Sequence, residues 1–230
     1  TPRRLLCNPK EHEAVSDYVL LTSDTSLRNA ALITPNVSTD GSFTKTWKYE
    51  DGEWWLYKLQ SAEATRSEVE ISKVLRACGW DAAEYRYIGS YRKRIKSRNF
   101  LGEHEFFEPY DSFRYAFSDI SEDEDVVMSN ISALGESCRT AWKRILLADA
   151  LFLNGDRHMR NFGVIRSTKT GEVLRLAPNF DNNQAYHGNP GGRYSAAMLR
   201  LYWKTADDED RVNLRQLLDA CEKNKYLAEA

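Results

Sequence analysis

Asn154-Gly155-Asp156-Arg157-His158-Met159-Arg160-Asn161-Phe162-Gly163 is the stretch on which the reading of this chain turns. It follows a helical segment and precedes an apolar pair, Val164-Ile165. Further on comes Leu176-Ala177-Pro178-Asn179-Phe180-Asp181-Asn182. Any one Asp or Asn here would pass for a turn residue, since both bond readily to their own backbone. Together, Asp156, Asn161 and Asp181 supply a set of oxygens with a definite use. Phosphoryl transfer from ATP needs a carboxylate to orient the attacking hydroxyl, and hard oxygen ligands for the magnesium that bridges the phosphates. Asp156 suits the first task, and Asn161 and Asp181 suit the second.

The flanking sequence divides into two halves of different character. Tyr18 to Thr22 and Ala30 to Thr34 read as short strands. Phe43 to Tyr49 and Trp54 to Leu59 follow as two more, with Asp51-Gly52 between them as a hairpin signal. A helix is predicted from about Ala62 to Ala77, closed by Gly79, with Ala64, Ile71, Leu75 and Cys78 on its apolar face. Tyr85 to Ser90, Arg94 to Leu101 and His104 to Glu108 read as strands, and Pro109 breaks the chain. The acidic run Glu122 to Asp125 is placed in a surface connection. A long helix starts at Gly135, and a last one near Asp208 to Lys223 puts Leu214, Leu217, Leu218 and Cys221 on one side. The order is a mostly β lobe with one helix, residues 1–109, then a mostly α lobe, residues 110–230. A cleft between two such lobes is a common ligand site.

The Asp-to-Asn spacing matches that of the protein-kinase catalytic loop. The fuller pattern is Asp149, then Asn154-Gly155-Asp156-Arg157-His158, then Asn161-Phe162-Gly163, with Leu176-Ala177-Pro178 and Asp181 after it. This pattern resembles the HipA-like serine/threonine kinases, including bacterial toxin kinases and their compact secreted relatives. The Asp-Arg-His-x-x-Asn loop is also similar to that of phosphatidylinositol kinases. The resemblance is strong from Ser137 to Asp181 and weaker from Gly41 to Gly79. It implies an α+β, bilobal protein-kinase-like fold, the cofactors ATP and Mg2+, and transfer to a Ser or Thr hydroxyl of a protein substrate. It also implies an antitoxin or regulatory partner. In that frame Asp156 is the catalytic residue, and His158 braces its loop. Asn161 and Asp181 are the metal ligands.

A kinase also needs a small-lobe lysine for the phosphates and a helix carboxylate to fix it. Lys58, in the apolar run Trp54 to Leu59, is the candidate lysine. Glu68 shares a helix face with Ala64, Ile71 and Leu75. Glu70 falls with Arg66 and Lys73 on a solvated face, where it can pair at helical spacing. Glu68 is therefore the predicted partner, with Glu63 a weaker third. The phosphate-covering turn is assigned to Ser38 to Thr46, where Gly41, Ser42 and Lys45 are nucleotide-binding candidates. This turn holds one glycine and departs from GxGxxG. One of its hydroxyls (Ser38, Thr39, Ser42, Thr44 or Thr46) is an expected autophosphorylation site, because the added charge would expel the turn from an anionic site. Glu105 to Pro109, with Phe107 at its centre, is the adenine-facing segment. Tyr186 to Arg193 occupies the place of an activation segment.

Composition limits the alternatives. Of 230 residues, 42% are hydrophobic and 29% charged, with 32 Lys and Arg against 34 Asp and Glu, for a net charge of -2. A strongly basic domain is the usual footprint of a nucleic-acid binder, so no nucleic-acid partner is expected. No apolar run reaches the length of a membrane span, and no membrane is expected. Arg92, Arg94, Lys96 and Arg98 would share a strand face, which reads as a solvated face before it reads as an anion patch. Cys7, Cys78, Cys138 and Cys221 are far apart, as reduced thiols of a cytoplasmic protein would be. The start, Thr1-Pro2-Arg3-Arg4, lacks both Met and a signal-peptide pattern, which reads as a fragment of a longer chain. Two other functions share the same motif. One is a small-molecule or inositol-lipid kinase. The other is a catalytically inactive kinase fold that binds a partner.

Overall fold

The structure, a computed structural model, describes residues 44–89, 93–185 and 207–228. The strands expected at Tyr18 to Thr22 and Ala30 to Thr34, Gly41 and Ser42 with most of the phosphate turn, and Tyr186 to Arg193 lie outside the described residues.

Strands β1 (Thr44–Glu50) and β2 (Glu53–Leu59) form the hairpin that Asp51-Gly52 signals. Both turn residues have positive φ, 51° and 80°. That is the left-handed pair a two-residue type I′ turn requires. Helix α1 spans Ala62–Ala77. Its first turn is capped by Ser61, whose Oγ accepts from the Ala64 N–H at 3.0 Å. It ends in a Schellman pair: Gly79 (φ 71°) donates to Arg76 O and Trp80 donates to Leu75 O, each at 3.0 Å. Strands β3 (Tyr85–Tyr87) and β4 (Arg94–Arg98) complete a four-stranded antiparallel sheet in the order β1-β2-β4-β3. The pairing of β4 with β2 runs on to Asn99, whose N–H donates to Trp54 O, and the chain turns before Leu101 as the Asn99 side chain caps the Leu101 N–H.

The second sheet is β5 (Glu105–Pro109), β6 (Gly163–Ser167) and β7 (Val173–Leu176), antiparallel in that order. Its chain crossing depends on Gly163. A Cβ there would lie 2.2 Å from Glu108 O and 2.7 Å from Pro109 Cα. Helix α2 (Tyr110–Phe113) and a 3-10 turn (Arg114–Ala116) follow β5. Helix α3 (Glu124–Ser132) begins inside the acidic run, which is not wholly a surface connection: Asp123 is its N-cap residue, and Glu124 and Asp125 are in its first turn. Carboxylates there are favoured by the exposed N–H groups at a helix start.

Helix α4 (Glu136–Leu151) joins the molecule. One side packs Cys138, Trp142, Ile145 and Leu146 with Tyr110, Phe113, Ile131 and Phe162. The other packs Leu147, Ala148 and the following Phe152 against Ile71, Val74 and Leu75 of α1 and against Leu217. Leu217 lies on helix α5 (Asp208–Glu222), which a short α6 (Lys225–Ala228) follows. Leu217 is buried as expected, but Leu218 is 44% exposed, so the apolar face of α5 is narrower than its leucines imply. Lys143 of α4 reaches Asp210 at 2.6 Å and Asp207 at 3.1 Å, both members of the α5 capping box.

The basic strand is a salt-bridged face. Lys96 bonds Glu50 at 2.6 Å and lies 4.5 Å over the Trp55 ring, and Arg98 pairs with Glu53 and Glu84. Among the described residues Cys78, Cys138 and Cys221 are free thiols, and no helix is long and apolar enough to cross a membrane.

Candidate active site

Strand β2 carries Lys58 into the interior, where it is 5% exposed. A buried ammonium is costly unless paired, and Lys58 is paired twice. Its Nζ donates to Glu68 Oε1 at 2.8 Å and to Asp181 Oδ1 at 3.2 Å, and lies 5.4 Å from the centre of the Tyr85 ring. Glu68 is fully buried, and its second oxygen accepts from Gln60 Nε2 at 2.7 Å. Of the helix carboxylates weighed from sequence, Glu68 is the one brought to Lys58. Glu70 bonds Lys73, Tyr87 and Asn224 instead.

Burial alone would lower the Lys58 pKa, but the charge of Glu68 leads the effects that hold it well above the ordinary lysine value. Burial raises the Glu68 carboxyl, against the pull of Lys58. Burial also works to raise Asp181, but Lys58 and then Lys45 outweigh it and hold that carboxyl at about 2. Lys45 stands directly across from Lys58 in the β1–β2 register. Two lysines of one hairpin therefore act on the same carboxylate.

The loop of Asp156 and the loop of Asp181 are held together by Arg157, which is 1% exposed. Its Nε and Nη2 donate to the two oxygens of Asp149 of α4, each at 2.8 Å. Nη1 donates to the main-chain oxygens of Asn161 at 2.9 Å and Phe180 at 2.6 Å. Nη2 also meets Asn182 Oδ1 at 2.9 Å. Asn154 donates to Asp149 Oδ1 at 2.9 Å, and Asn182 donates to Asn179 Oδ1 at 2.9 Å. This buried polar group sets the two loops against each other through main-chain oxygens adjoining Phe162 and Asp181. Sequence reasoning quoted Asp149, Asn154 and Arg157 as part of a pattern and assigned them no task. The available signal was an Arg inside a loop between two apolar elements, which asks for a buried carboxylate.

Asn161 donates its Nδ2 to Asp156 O at 2.9 Å, which leaves its side-chain oxygen as acceptor. His158 is exposed. It shapes the turn by accepting from Asn161 N–H at its carbonyl (2.8 Å) and from Arg160 N–H at Nδ1 (3.2 Å). Asp156 lines a cavity of ≈ 550 Å³ bounded by Asp111, Glu124, Trp142, Met159 and Phe162, on the helical side of the loop; Lys58, Asn161 and Asp181 are not among its lining residues. Phe107 is buried edge-on against Phe180, with ring centres 5.5 Å apart, so its side chain faces the core. β5 is an edge strand, so main-chain groups are what this segment can offer a ligand.

The donors that could meet magnesium are oxygens. Asp181 receives both Lys58 and Asn183 Nδ2 (3.1 Å) on Oδ1. Asn183 Oδ1 is buried with no hydrogen-bond partner among the described residues. One carboxylate with amide oxygens fits a hard cation that takes its remaining ligands from phosphates and water. Among the described residues no group of three or more His, Cys, Asp or Glu gathers in the manner of a zinc site.

Two antiparallel sheets, a helix whose carboxylate holds a sheet lysine, and a helix-rich second half define a kinase-like α+β fold. Solved structures carry the same comparison further. The crystal structure of the proinflammatory kinase CtkA of Helicobacter pylori aligns with 80% of this chain and 78% of its own, with TM-score 0.54 and 17% identity. HipA, in complex with HipB and operator DNA from Shewanella oneidensis MR-1, aligns over 84% of this chain and 66% of that one, with TM-score 0.44 and 13% identity. What the CtkA likeness shows is the fold, in line with the sequence resemblance to HipA-like kinases. Neither a family model nor a curated protein sequence matches the chain.

Proposed function

We propose that this chain is an ATP- and magnesium-dependent serine/threonine protein kinase that also phosphorylates a hydroxyl of its own segment Ser38 to Thr46, of which Thr44 and Thr46 lie on β1. The observation that carries the reading is Lys58 held between Glu68 and Asp181 at 2.8 and 3.2 Å, with Arg157 tying the Asp181 loop to the Asp156–Asn161 loop. The CtkA fold supports it.

In this reading Lys58, fixed by Glu68, aligns the anionic phosphates. Asp156 accepts a hydrogen bond from the attacking hydroxyl and takes its proton as the new P–O bond forms and the bond to the leaving nucleoside diphosphate breaks. Asn161 and Asp181 would hold magnesium, which when bound neutralises charge on the phosphate oxygens. His158, bonded within the turn, keeps the Asp156–Asn161 spacing. The edge of β5 near Phe107 would meet the adenine through its backbone, and Gly41, Ser42 and Lys45 would cover the phosphates. The lipid-kinase alternative would draw on the basic strand, where Lys96 and Arg98 are already paired with Glu50, Glu53 and Glu84. An antitoxin or regulatory partner and a cytoplasmic site of action complete the proposal. They rest on the resemblance and on the free thiols.

Labelled-ATP transfer by the wild type beside Asp156→Asn and Asp181→Asn tests the reading. Asp156→Asn is expected to keep nucleotide binding and lose about 10²–10⁴ in transfer. Asp181→Asn is expected to lose metal-dependent binding. Equal activity in all three proteins would overturn it. Intact-mass analysis after ATP incubation tests the turn, and an absence of phosphate on residues 38–46 would remove that part.

A further inference from the structure

Asn183 stands two residues beyond Asp181 and carries a feature the scheme above leaves unused. Its side chain is buried, 6% exposed. Its Nδ2 donates to Asp181 Oδ1 at 3.1 Å. That bond fixes the sense of the amide, since the flipped form would set two oxygens against each other. The amide oxygen therefore points away from the Oδ1 it serves, and it has no partner among the described residues. A buried, unpartnered acceptor is unfavourable and asks for a reason. Gln60 Oε1 and Asn179 Nδ2 are also unpartnered, but their amides bond to Glu68 and to structural loop residues. Asn183 is bonded to a carboxylate that is a candidate metal ligand.

We propose that Asn183 Oδ1 is a third protein oxygen for the divalent cation, joining Asp181 and Asn161. The inference rests on the kinase reading of the same site. Lys58 and Asn183 both donate to Asp181 Oδ1, so Oδ2, which takes neither donor, is the oxygen this proposal assigns to the cation. The Asn183 amide oxygen, carried on the residue that bonds this carboxylate, would add a neutral hard ligand. Magnesium accepts such oxygens, and a neutral one avoids placing a third carboxylate near Glu68 and Asp181.

The test is Mn2+ binding by the full chain with a saturating non-hydrolysable ATP analogue, followed by electron paramagnetic resonance and by water-proton relaxation. Wild type, Asn183→Ala, Asn183→Asp and Asp181→Asn are compared, each first checked for an unchanged thermal midpoint without cation. A tenfold or larger loss of affinity is expected for Asn183→Ala, with one more water on the bound ion. Asn183→Asp keeps an oxygen but not the N–H donor, and is expected to lose less affinity than Asn183→Ala. Equal loss in Asn183→Ala and Asn183→Asp would overturn the proposal and make Asn183 a positioning residue that acts through its N–H. No loss in Asn183→Ala while Asp181→Asn weakens binding would overturn it and leave the kinase reading intact. No difference between wild type and Asp181→Asn would remove both. If Asn183→Ala does not fold, Asn183→Asp and Asn183→Ser carry the same comparison.

Discussion

Arg157 shows how much one side chain can settle. It satisfies main-chain oxygens on both the Asp156–Asn161 and the Asp181 loops and both oxygens of Asp149, with almost no solvent contact. Removing one partner of a buried ion pair leaves an uncompensated charge, which costs about 3–5 kcal/mol. Asp149→Ala is therefore expected to lower unfolding free energy by that amount in urea titration, and a loss under about 1 kcal/mol would mean the pair is not buried in solution. Arg157→Lys is expected to destabilise as well, because a lysine offers no fork to span the carboxylate and the two carbonyls. At Lys58 the outcome differs. Glu68→Gln leaves Asp181 as a carboxylate partner, so the lysine is drawn toward Asp181. Transfer is expected to fall at least tenfold while the fold persists. Unchanged turnover at saturating ATP would show that Glu68 does not position Lys58.

Among the elements, the β5–β6 crossing has the least tolerance. Gly163→Ala forces a Cβ to within 2.2 Å of a backbone oxygen that cannot swing away. Overpacking of that kind costs about 1–3 kcal/mol, read as a lower thermal midpoint. A midpoint unchanged from wild type would mean the strands do not approach this closely. In the first sheet, Glu50 receives Lys48, Lys96 and Tyr57. Burial works to raise its carboxyl, yet those three bonds bring it down from 4.5 to about 2. A carboxylate depressed in the folded state stabilises above its unfolded pKa and loses that contribution as pH falls through the folded value. Wild type should exceed Glu50→Gln in stability at pH 7, with the gap closing between about pH 4.5 and 2. A gap constant down to pH 2 would place Glu50 outside the network.

For the whole molecule, α1 and α4 carry the connection between the lobes. α1 offers Val69 to the sheet side and Ile71, Val74 and Leu75 to α4 and α5. A ligand held, as proposed, by Lys58 on one side and by Asn161 and Asp181 on the other would join the two lobes and stabilise the fold. At a free ATP–magnesium concentration a hundred times the dissociation constant, linkage predicts about 2.7 kcal/mol, seen as a rise in thermal midpoint. The rise should vanish in Asp181→Asn. A rise of the same size in that variant would place nucleotide binding elsewhere.

Local pattern alone determined a good deal of this protein. The Asp51-Gly52 hairpin, the bounds of α1 and its buried Glu68 follow from rules that act over a few residues: positive φ in a tight turn, a cap at each helix end, a 3.6-residue period. The start of α3 in the acidic run was hidden because the same carboxylates suit a solvated loop and a helix N-terminus. Leu218 was misplaced because four apolar residues on α5 exceed what α1 and α4 can cover. The partner of Arg157, the orphaned oxygen of Asn183 and the tie of Lys58 to Asp181, 123 positions away, were decided only by tertiary structure. Such contacts join groups from different loops, and no local period or spacing constrains which of them meet once the helices and sheets have packed.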